Sequence, residues 1–560
     1  MKIRLEQLNP VIGDIKGNSE LILKSLREAE LNGVHLLILP ELGVTGYPPQ
    51  DLLENKSFRD TCYRANDEIV RSAKNTALLF GTITPNSGYG RKMHNSALLA
   101  IKGKLHGTVH KSLLPTYDVF DDFRYFEPNK QFHCVDFEGM KLGITICEDI
   151  WYNENEVQYH TYETDPARVL KDLGAEVIIN VSASPYTNSK HENRKRMLQN
   201  HARKLNLPIL YINQVGAHTD IVFDGDSMAI NSKAEVIANT IPFSHSYTDV
   251  IWNSETGDIE PDKYDSDIKY PSKGTPRQFE AIRCGLADYF RKTGVTSKAV
   301  LGLSGGIDSA LVCAIAADVL GPENVTAITM PSSFSSEGSV TDSVQLSENL
   351  GVELIEIPIK SLYGEFESTL EPIFVGTEFN VAEENLQSRI RGTLLMAYSN
   401  KFGHFLLTTG NKSEYAVGYA TLYGDMNGAL AIIGDLYKSE VYEMANWLNT
   451  EYFKKEVIPV NTITKPPSAE LRPGQKDSDS LPDYEVLDNI LYRYIELQQS
   501  PYDMVAAGHN KDVIVEVIKL VDYTEFKRYQ AAPVLKLSSK SFGSGRRWPI
   551  VQRWTNNQKI

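Results

Sequence analysis

Cysteine is scarce in this sequence. Only five occur among 560 residues: Cys62, Cys134, Cys147, Cys284 and Cys313. Their odd number and scattered placement argue against a disulfide framework, and no group of Cys and His has the spacing of a zinc site. The cysteines therefore have to be considered one at a time, as core residues or as a nucleophile.

Long apolar runs and an excess of positive charge are also missing. No stretch of eighteen apolar residues occurs, and the N-terminal MKIRLEQLNP lacks the apolar segment of a secretory signal, so we expect a soluble cytoplasmic protein without a membrane partner. The 57 Lys and Arg face 72 Asp and Glu, which gives a net charge of −15. This balance argues against a nucleic-acid partner but leaves room for a local phosphate pocket.

What is present is an ordinary globular composition, 42% hydrophobic and 23% charged, in a chain too long for one core. In the first half, amphipathic helices lie between apolar runs, which predicts sheets with helices on their outer faces. The predicted strands are Leu36–Leu39, Ala77–Ile83, Ser96–Ile101, Leu142–Ile146, Val177–Val181 and Ile209–Ile212. In the second half, alternating strands and helices between Lys298 and Thr409 predict a parallel sheet. The turn-rich residues 246–272 are interpreted as a linker between domains 1–245 and 273–560.

A glycine-rich turn, LGLSGGIDSAL (Leu301–Leu311), joins a strand to a helix in the second half. Gly305 and Gly306 allow backbone N–H groups to approach an anion, and the helix start adds a favourable dipole. Asp308 would repel a phosphate unless a cation lay between them, and Mg²⁺ is the simplest such cation. The alternative is a plain strand-to-helix turn with Asp308 as a helix cap. The string resembles the loop of ATP pyrophosphatases, which adenylate a carboxylate or similar oxygen.

Three further strings narrow this resemblance: EENLQSRIRG (residues 383–392), LLTTGNKSEYAVGYATLYGDMNGALAIIGDLYKSEVY (406–442) and FKRYQAAPVLKLSSKSFGSGRRWPI (526–550). They are similar to the synthetase domain of glutamine-dependent NAD synthetases, across nearly all of residues 273–560. The resemblance implies a doubly wound parallel α/β ATP-pyrophosphatase domain.

The resemblance also implies site residues. ATP would be bound by Gly302, Leu303, Ser304, Gly305, Gly306, Ile307, Asp308, Ser309, Thr409 and Lys438. Deamido-NAD would be bound by Asn385, Glu414 and Lys527, and Mg²⁺ by Asp308 and Glu414. Read alone, Glu414, Lys438 and Lys527 could each be a solvated charge. Ser333 and Tyr529 stand where the family often has arginine, so two contacts of the family are in question.

A candidate nucleophile, Cys147, ends an apolar strand in the first half. Glu41 and Lys111 follow two other strands; a glutamate can take the thiol proton, and a lysine can stabilise the thiolate and an oxyanion. Spacing alone does not bring the three together. Taken singly, Cys147 could be a core residue, Glu41 a strand-end acid and Lys111 a surface charge.

Together, in this order, Glu41, Lys111 and Cys147 resemble the catalytic set of the nitrilase family, and the similarity extends over residues 1–243. It implies an αββα sandwich for the first domain. The glutamine-using branch implies that glutamine is bound by Tyr117, Ser184 and Lys190, with Glu148 supporting the site. Asp122 stands where that branch usually has glutamate, and could be a solvated acid. Lys190 could likewise be an exposed charge at a helix start.

The two halves predict one reaction: the first releases ammonia from glutamine, and the second uses ATP to adenylate deamido-NAD, which ammonia then converts to NAD. Ammonia is mostly protonated at neutral pH, so a buried passage is expected, and the resemblance implies one, often in a homo-oligomer. Two alternatives stay open. One is an ATP pyrophosphatase that adenylates another acid or a tRNA base, and the other is a non-enzymatic binding scaffold.

Overall fold

The computed structural model describes residues 1–152, 162–262, 271 and 273–554. The chain divides into two compact units, Met1–Gly274 and Thr275–Ile560, called here the first and second domains. Within the described ranges, no helix is both long enough and apolar enough to cross a membrane.

The first domain is built from short strands and a few helices. Its strands are β1 (Lys2–Gln7), β2 (Leu36–Ile38), β3 (Ala77–Pro85), β4 (Met93–Ile101), β5 (Lys104–His110), β6 (Val135–Phe137), β7 (Met140–Ile146), β8 (Val177–Ser182), β9 (Ile209–Asn213), β10 (Val215–His218), β11 (Ile221–Asp224), β12 (Met228–Ile230), β13 (Val236–Asn239), β14 (Ser246–Asn253) and β15 (Asp258–Pro261). Its helices are α1 (Ile15–Leu31), α2 (Lys56–Ser72), α3 (Asp122–Tyr125), α4 (Pro166–Asp172) and α5 (Lys190–Leu205).

These strands form two main sheets. One has the order β15-β14-β1-β2-β3-β4-β5 and the other β13-β12-β9-β8-β7-β6. In each sheet three central strands run parallel, β1-β2-β3 and β7-β8-β9, and antiparallel strands flank them. The parallel centre explains the continuous apolar runs in the sequence, since such strands are buried on both faces.

Alternate side chains of these strands enter different apolar clusters. Leu36 packs in a cluster with Leu142 of β7, whereas its neighbour Leu37 packs in a cluster with Leu26 of α1. On the other sheet, Ile178 of β8 belongs to a third cluster together with residues of α5. Because successive side chains on a strand point to opposite faces, the layers are helix, sheet, sheet and helix. The predicted αββα sandwich is confirmed.

The predicted linker, residues 246–272, is wrong in its first part. β14 lies along β1 from Lys2 opposite Ile251 to Gln7 opposite Ser246, and β15 pairs with β14. Val250 and Trp252 alternate inward, and this period of two identifies a strand despite the polar residues around it. Residues 263–270 and 272 of the predicted linker lie outside the described residues.

The described part of the second domain, residues 275–554, contains five strands and more helices than strands. The strands are β16 (Ala299–Gly302), β17 (Val325–Thr329), β18 (Glu353–Glu356), β19 (Phe405–Thr408) and β20 (Leu430–Ala431). The helices are α6 (Thr275–Thr293), α7 (Ile307–Leu320), α8 (Glu337–Leu350), α9 (Lys360–Phe374), α10 (Val381–Phe402), α11 (Lys412–Val417), α12 (Lys438–Trp447), α13 (Val460–Thr464), α14 (Tyr484–Leu491), α15 (Pro501–Ala506), α16 (Lys511–Tyr523) and α17 (Glu525–Arg528).

All five strands are parallel, in the order β18-β17-β16-β19-β20. The chain therefore builds outward from β16 to one edge and then returns to build outward on the other side. This is the predicted doubly wound parallel sheet. The loops that follow β16 and β19 diverge from each other. In doubly wound sheets, the crevice between such loops, at the carboxyl ends of the strands, is the usual ligand site. The loop after β16 is the glycine-rich turn.

Candidate active sites

Cys147 lies at the carboxyl end of β7, as predicted, and begins a short 3-10 turn, Cys147–Ile150. Its φ of 45° is in the left-handed region, which is costly for a residue with a Cβ and is maintained only by surrounding contacts. Asp149 supplies such contacts, because its carboxylate accepts the backbone N–H groups of Ile146, Ser112 and Leu113. Asp149 thereby ties the nucleophile's turn to the segment that follows Lys111.

Lys111 lies between two buried carboxylates. Its Nζ is 2.8 Å from Glu41 Oε1 and 2.6 Å from Asp122 Oδ2, and Asp122 also accepts the Tyr47 hydroxyl at 3.0 Å. Burial alone would lower the pKa of Lys111, but the carboxylates of Asp122 and Glu41 raise it well above its usual value. Lys111 is thus a buried cation and not a surface charge. Asp122 is its buried partner and not a solvated acid.

The thiol of Cys147 belongs to the same cluster. Burial raises the pKa of this thiol well above its usual value, and the Glu41 carboxylate adds to the effect, while Lys111 and the backbone N–H of Ala183 lower the pKa in part. The N–H of Ala183 also donates to Glu41 Oε2 at 2.9 Å. The three residues predicted to act together are therefore neighbours, and Cys147 at rest carries a thiol, which would need a base to act as a nucleophile.

Next to Cys147 in the chain, Glu148 accepts hydrogen bonds from two tyrosine hydroxyls. The hydroxyl of Tyr117 donates to Glu148 Oε2 at 2.9 Å, and the hydroxyl of Tyr162 donates to Oε1 at 3.0 Å. Burial raises the pKa of Glu148. The structure thus brings together Tyr117 and Glu148, as predicted, and adds Tyr162, which no sequence pattern identified.

The other two residues predicted to bind glutamine are held from different elements. Ser184 follows β8 and is buried, and its backbone N–H donates to Asn213 Oδ1 at 2.7 Å. Lys190 begins α5, with its Nζ 3.8 Å from the centroid of the Trp151 ring. Lys190 therefore packs on an aromatic face next to the turn that carries Cys147. Their role in binding glutamine stays a prediction.

A cavity of about 300 Å³ lies at the carboxyl end of the parallel sheet in the second domain. Most residues predicted to bind ATP line it: Gly302, Leu303, Ser304, Gly306, Ile307, Asp308, Ser309, Thr409 and Lys438. Glu414 lines it as well. The cavity lies at the crevice expected from the strand order, and its volume is that of a small-molecule site.

At one wall of this cavity Lys438 joins two carboxylates. Its Nζ is 2.5 Å from Asp308 Oδ2 and 3.1 Å from Glu414 Oε1. Asn411 caps α11 through the N–H of Glu414 and donates its Nδ2 to Asp308 Oδ1 at 2.8 Å. Burial raises the pKa of Glu414 to about 8, with Lys438 opposing and Asp308 adding to the shift. The pKa of Lys438 is raised, because the two carboxylates outweigh burial.

The donor set at this wall fits Mg²⁺. Asp308 and Glu414 present carboxylate oxygens around one position that already holds a cationic group. Mg²⁺ is usually held by one or two carboxylates together with substrate phosphates, so a larger protein cluster is not required. No group of three or more His, Cys, Asp or Glu side chains with metal-site geometry occurs among residues 1–152, 162–262, 271 and 273–554.

Both halves of the chain match known families. Residues 278–531 match the family model described as NAD synthase, and residues 2–250 match carbon-nitrogen hydrolase. The glutamine-dependent NAD(+) synthetase of Synechocystis sp. is 46% identical over 98% of both chains. That of Acinetobacter baylyi is 41% identical over 99% of this chain and 98% of its own. This chain belongs to the glutamine-dependent NAD(+) synthetase family.

A solved member of this family has the same fold along the whole chain. The glutamine-dependent NAD+ synthetase from Acinetobacter baumannii, in complex with adenosine diphosphate, is 36% identical, with a TM-score of 0.77. The match covers 100% of this chain and 99% of that one. Both predicted domain types and their order are thus those of the family.

Two residues predicted to contact deamido-NAD, Asn385 and Lys527, make hydrogen bonds within the second domain of this chain. Asn385 Oδ1 accepts the Thr421 hydroxyl at 2.8 Å, and Lys527 Nζ donates to the carbonyl oxygens of Gly418 and Ala420, each at 2.7 Å. Neither Asn385 nor Lys527 is among the described residues that line the cavity, although Ala420 is. In this structure they hold the segment after α11, which forms one cavity wall.

Two cationic residues that the sequence analysis did not single out also line the cavity. Arg391 donates its Nε to the carbonyl oxygen of Met330 at 3.1 Å, and burial lowers its pKa to about 10. Lys465 Nζ is 2.8 Å from Asp342 Oδ2. Arg391 stands in EENLQSRIRG, which is one of the strings on which the family resemblance rests. This chain has Ser333 where the family often has an arginine. Arg391 nevertheless provides an arginine at the cavity.

The composition of residues 469–482, rich in Pro, Gly, Ser and Asp, predicts a surface loop, but this segment does more than cover the surface. Glu470 accepts the hydroxyls of Ser336 at 2.8 Å and of Ser339 at 3.0 Å, at the start of α8. Asp477 accepts the hydroxyl of Tyr484 at 2.9 Å. Both acids line the cavity. Proline, glycine and serine correctly indicated a loop, but composition cannot show which surface a loop covers.

We expect Gly305→Ala to damage the second domain. Gly305 has φ +80°, and an added Cβ would lie 2.3 Å from the carbonyl oxygen of Ser339. The backbone strain and the clash should together lower the free energy of unfolding by more than about 1 kcal/mol and displace the glycine-rich turn. Thermal unfolding and ammonium-dependent NAD synthesis measure the two effects.

Gly376→Ala is the matched control, because Gly376 also has φ +80° but no atom lies within 4 Å of its added Cβ. It should show the backbone strain alone and keep NAD synthesis. Equal activity in the two variants would contradict the role assigned to the close approach at Gly305.

Proposed function

We propose that this chain forms NAD from deamido-NAD, ATP and glutamine, releasing AMP, pyrophosphate and glutamate. Glutamine is hydrolysed in the first domain, and the ammonia is used in the second. Two clusters carry the proposal: Lys111 between Glu41 and Asp122 beside the Cys147 thiol, and the cavity wall in the second domain where Lys438 meets two acids. On the family resemblance, we also propose a cytoplasmic homo-oligomer.

In the first domain, the Cys147 sulfur attacks the side-chain amide carbonyl of glutamine. Glu41 takes the thiol proton during the attack and transfers it to the departing nitrogen, so that ammonia leaves and a γ-glutamyl thioester remains. Lys111, held by two carboxylates, faces the negative charge that develops on the carbonyl oxygen. Glu41 then accepts a proton from water, whose oxygen attacks the thioester and releases glutamate and the thiol.

In the second domain, a carboxylate oxygen of deamido-NAD attacks the α-phosphorus of ATP, and pyrophosphate leaves. Backbone N–H groups of residues 304–309 and the Lys438 ammonium hold the phosphates. Asp308 and Glu414 would hold Mg²⁺, which when bound would supply positive charge against the leaving pyrophosphate. Ammonia attacks the carbonyl carbon of the adenylate, AMP leaves, and the amide of NAD is formed.

The choice of acid is tested by adenylation in the absence of any nitrogen source. With ATP and Mg²⁺, we expect pyrophosphate release and an adenylate with deamido-NAD, and neither with xanthosine monophosphate nor with aspartate. Radiolabelled ATP resolved by chromatography gives both readouts. Adenylation of one of the other acids would move the chain's activity to a different ATP pyrophosphatase reaction.

A further inference from the structure

Asn95 on β4 contacts two residues of the glutaminase cluster. Its side chain is 1% exposed, and its Nδ2 donates to Glu41 Oε1 at 2.7 Å. Its backbone carbonyl oxygen accepts the N–H of Lys111 at 2.9 Å. One residue thus fixes both the carboxylate of the proposed base and the start of the segment that carries the lysine.

The amide of Asn95 is only half satisfied. Its Oδ1 is buried and has no hydrogen-bond partner among the described residues. Turning the amide would not help, because Oδ1 would then face the Glu41 carboxylate, which accepts hydrogen bonds and does not donate them. Buried polar atoms are normally paired, and an unpaired one lowers stability. Asn95 is therefore a poor choice for stability alone, which is typical of a residue kept for function.

The hydrogen bonds of Glu41 show what that function is. A carboxylate oxygen has two in-plane lone pairs. Oε1 receives Lys111 Nζ at 2.8 Å and Asn95 Nδ2 at 2.7 Å, so both of its lone pairs are used. Among the residues that the structure describes, Oε2 receives only the N–H of Ala183, at 2.9 Å. The lone pair that remains to accept a proton is on Oε2.

We propose that Asn95 is a positioning residue for Glu41: it occupies the second lone pair of Oε1, prevents rotation of the carboxylate, and directs proton transfer to Oε2. The proposal rests on the proposed glutaminase activity of Cys147. Without the amide, Oε1 regains a free lone pair and the carboxylate loses one of three donors. Misplacement of a general base lowers kcat, while substrate binding need not change.

Asn95→Leu separates this role from a structural one, because leucine fills a similar volume and leaves no unpaired amide oxygen. We expect the melting temperature to stay within a few degrees of wild type or to rise, and KM for glutamine to change little. The kcat for glutamate release should fall by about 10². NAD synthesis from ammonium should be retained.

Asn66→Leu is the matched control. Asn66 is a buried asparagine of the same domain whose side-chain hydrogen bonds, to the Ile83 carbonyl oxygen and from the Thr82 hydroxyl, involve neither Glu41 nor Lys111. The control should lose stability and keep kcat, the opposite of Asn95→Leu. This reversal is not expected if both asparagines are structural.

Asn95→Asp gives a second test that does not depend on the leucine variant folding. Aspartate has the same shape, and only its protonated form can donate to Glu41. The ratio of variant to wild-type kcat should therefore rise as the pH is lowered from 8 to 5. A folded Asn95→Leu with kcat within about twofold of wild type, or an Asn95→Asp variant with the wild-type pH profile, would overturn the proposal. If wild type released no glutamate, the proposed function itself would fail.

Discussion

Cys147→Ala is expected to abolish glutamate release and NAD synthesis from glutamine, while NAD synthesis from a high concentration of ammonium persists. The substitution removes one sulfur atom, and the position is already part of a packed apolar cluster, so the fold should survive. Covalent catalysis, however, has no other thiol in this cluster to use. Glutamate release and NAD formation with each nitrogen source are the measurements, and the first should fall by at least about 10³.

Cys62→Ala is the matched control for that change. Cys62 on α2 is fully buried in the apolar cluster that contains Leu26 and Leu37, and it is not one of the residues assigned to glutamine hydrolysis. It should cost some stability and leave both activities intact. NAD formation from glutamine by Cys147→Ala would place the nucleophile elsewhere. Failure of a folded Cys147→Ala with both nitrogen sources would show that the two activities share a site.

The two sites share one electrostatic design. In each, a buried lysine joins two carboxylates: Lys111 joins Glu41 and Asp122, and Lys438 joins Asp308 and Glu414. Removing one partner of such a group leaves an uncompensated buried charge, which is strongly destabilising. The lysines therefore balance the negative charge of the acids proposed to act on substrate or metal, and hold those acids in place.

Much of the fold could be predicted because burial controls the sequence pattern. The runs at Leu142–Ile146 and Val177–Val181 lie in parallel strands covered on both faces, so every residue of these runs is buried and most are apolar. β14 was missed because its apolar run, Val250–Trp252, is only three residues long, and polar residues and turns surround it. The strand is evident only once β1 is seen beside it, since pairing with a distant strand leaves no local signal.

The sites were predictable to the extent that local strings carry them. Cys147, Asp308 and Glu414 each stand in a distinctive string, and each lies in a cluster with its predicted partners. Asn95 and Asp149 were missed, because their importance comes from hydrogen bonds to residues 54 and 36–37 positions away, and an isolated Asn or Asp looks ordinary in sequence. Folding, and not residue type, makes them part of a site.

Asp308→Asn is expected to abolish NAD formation from both glutamine and ammonium while glutamate release continues. Asparagine preserves the shape of the side chain, and its oxygen can still accept the Lys438 ammonium, so the wall of the cavity should remain folded. The lost charge removes one ligand of the proposed Mg²⁺ and one of the two carboxylates around Lys438. Losing such an electrostatic group should lower kcat by about 10² or more, as measured by NAD formed per minute from ammonium.

Asp288→Asn separates this effect from a general loss of buried negative charge in the second domain. Asp288 on α6 is also buried and paired with basic residues, Arg291 and Lys292, but does not line the cavity. Its variant should melt at a lower temperature and still make NAD. Full synthetase activity of Asp308→Asn at ordinary Mg²⁺ would contradict the assignment of Asp308 to the Mg²⁺ site, since a neutral amide cannot replace the charge of a carboxylate facing phosphates. Restoration only at raised Mg²⁺ would instead identify Asp308 as a metal ligand, because mass action can offset a weakened site.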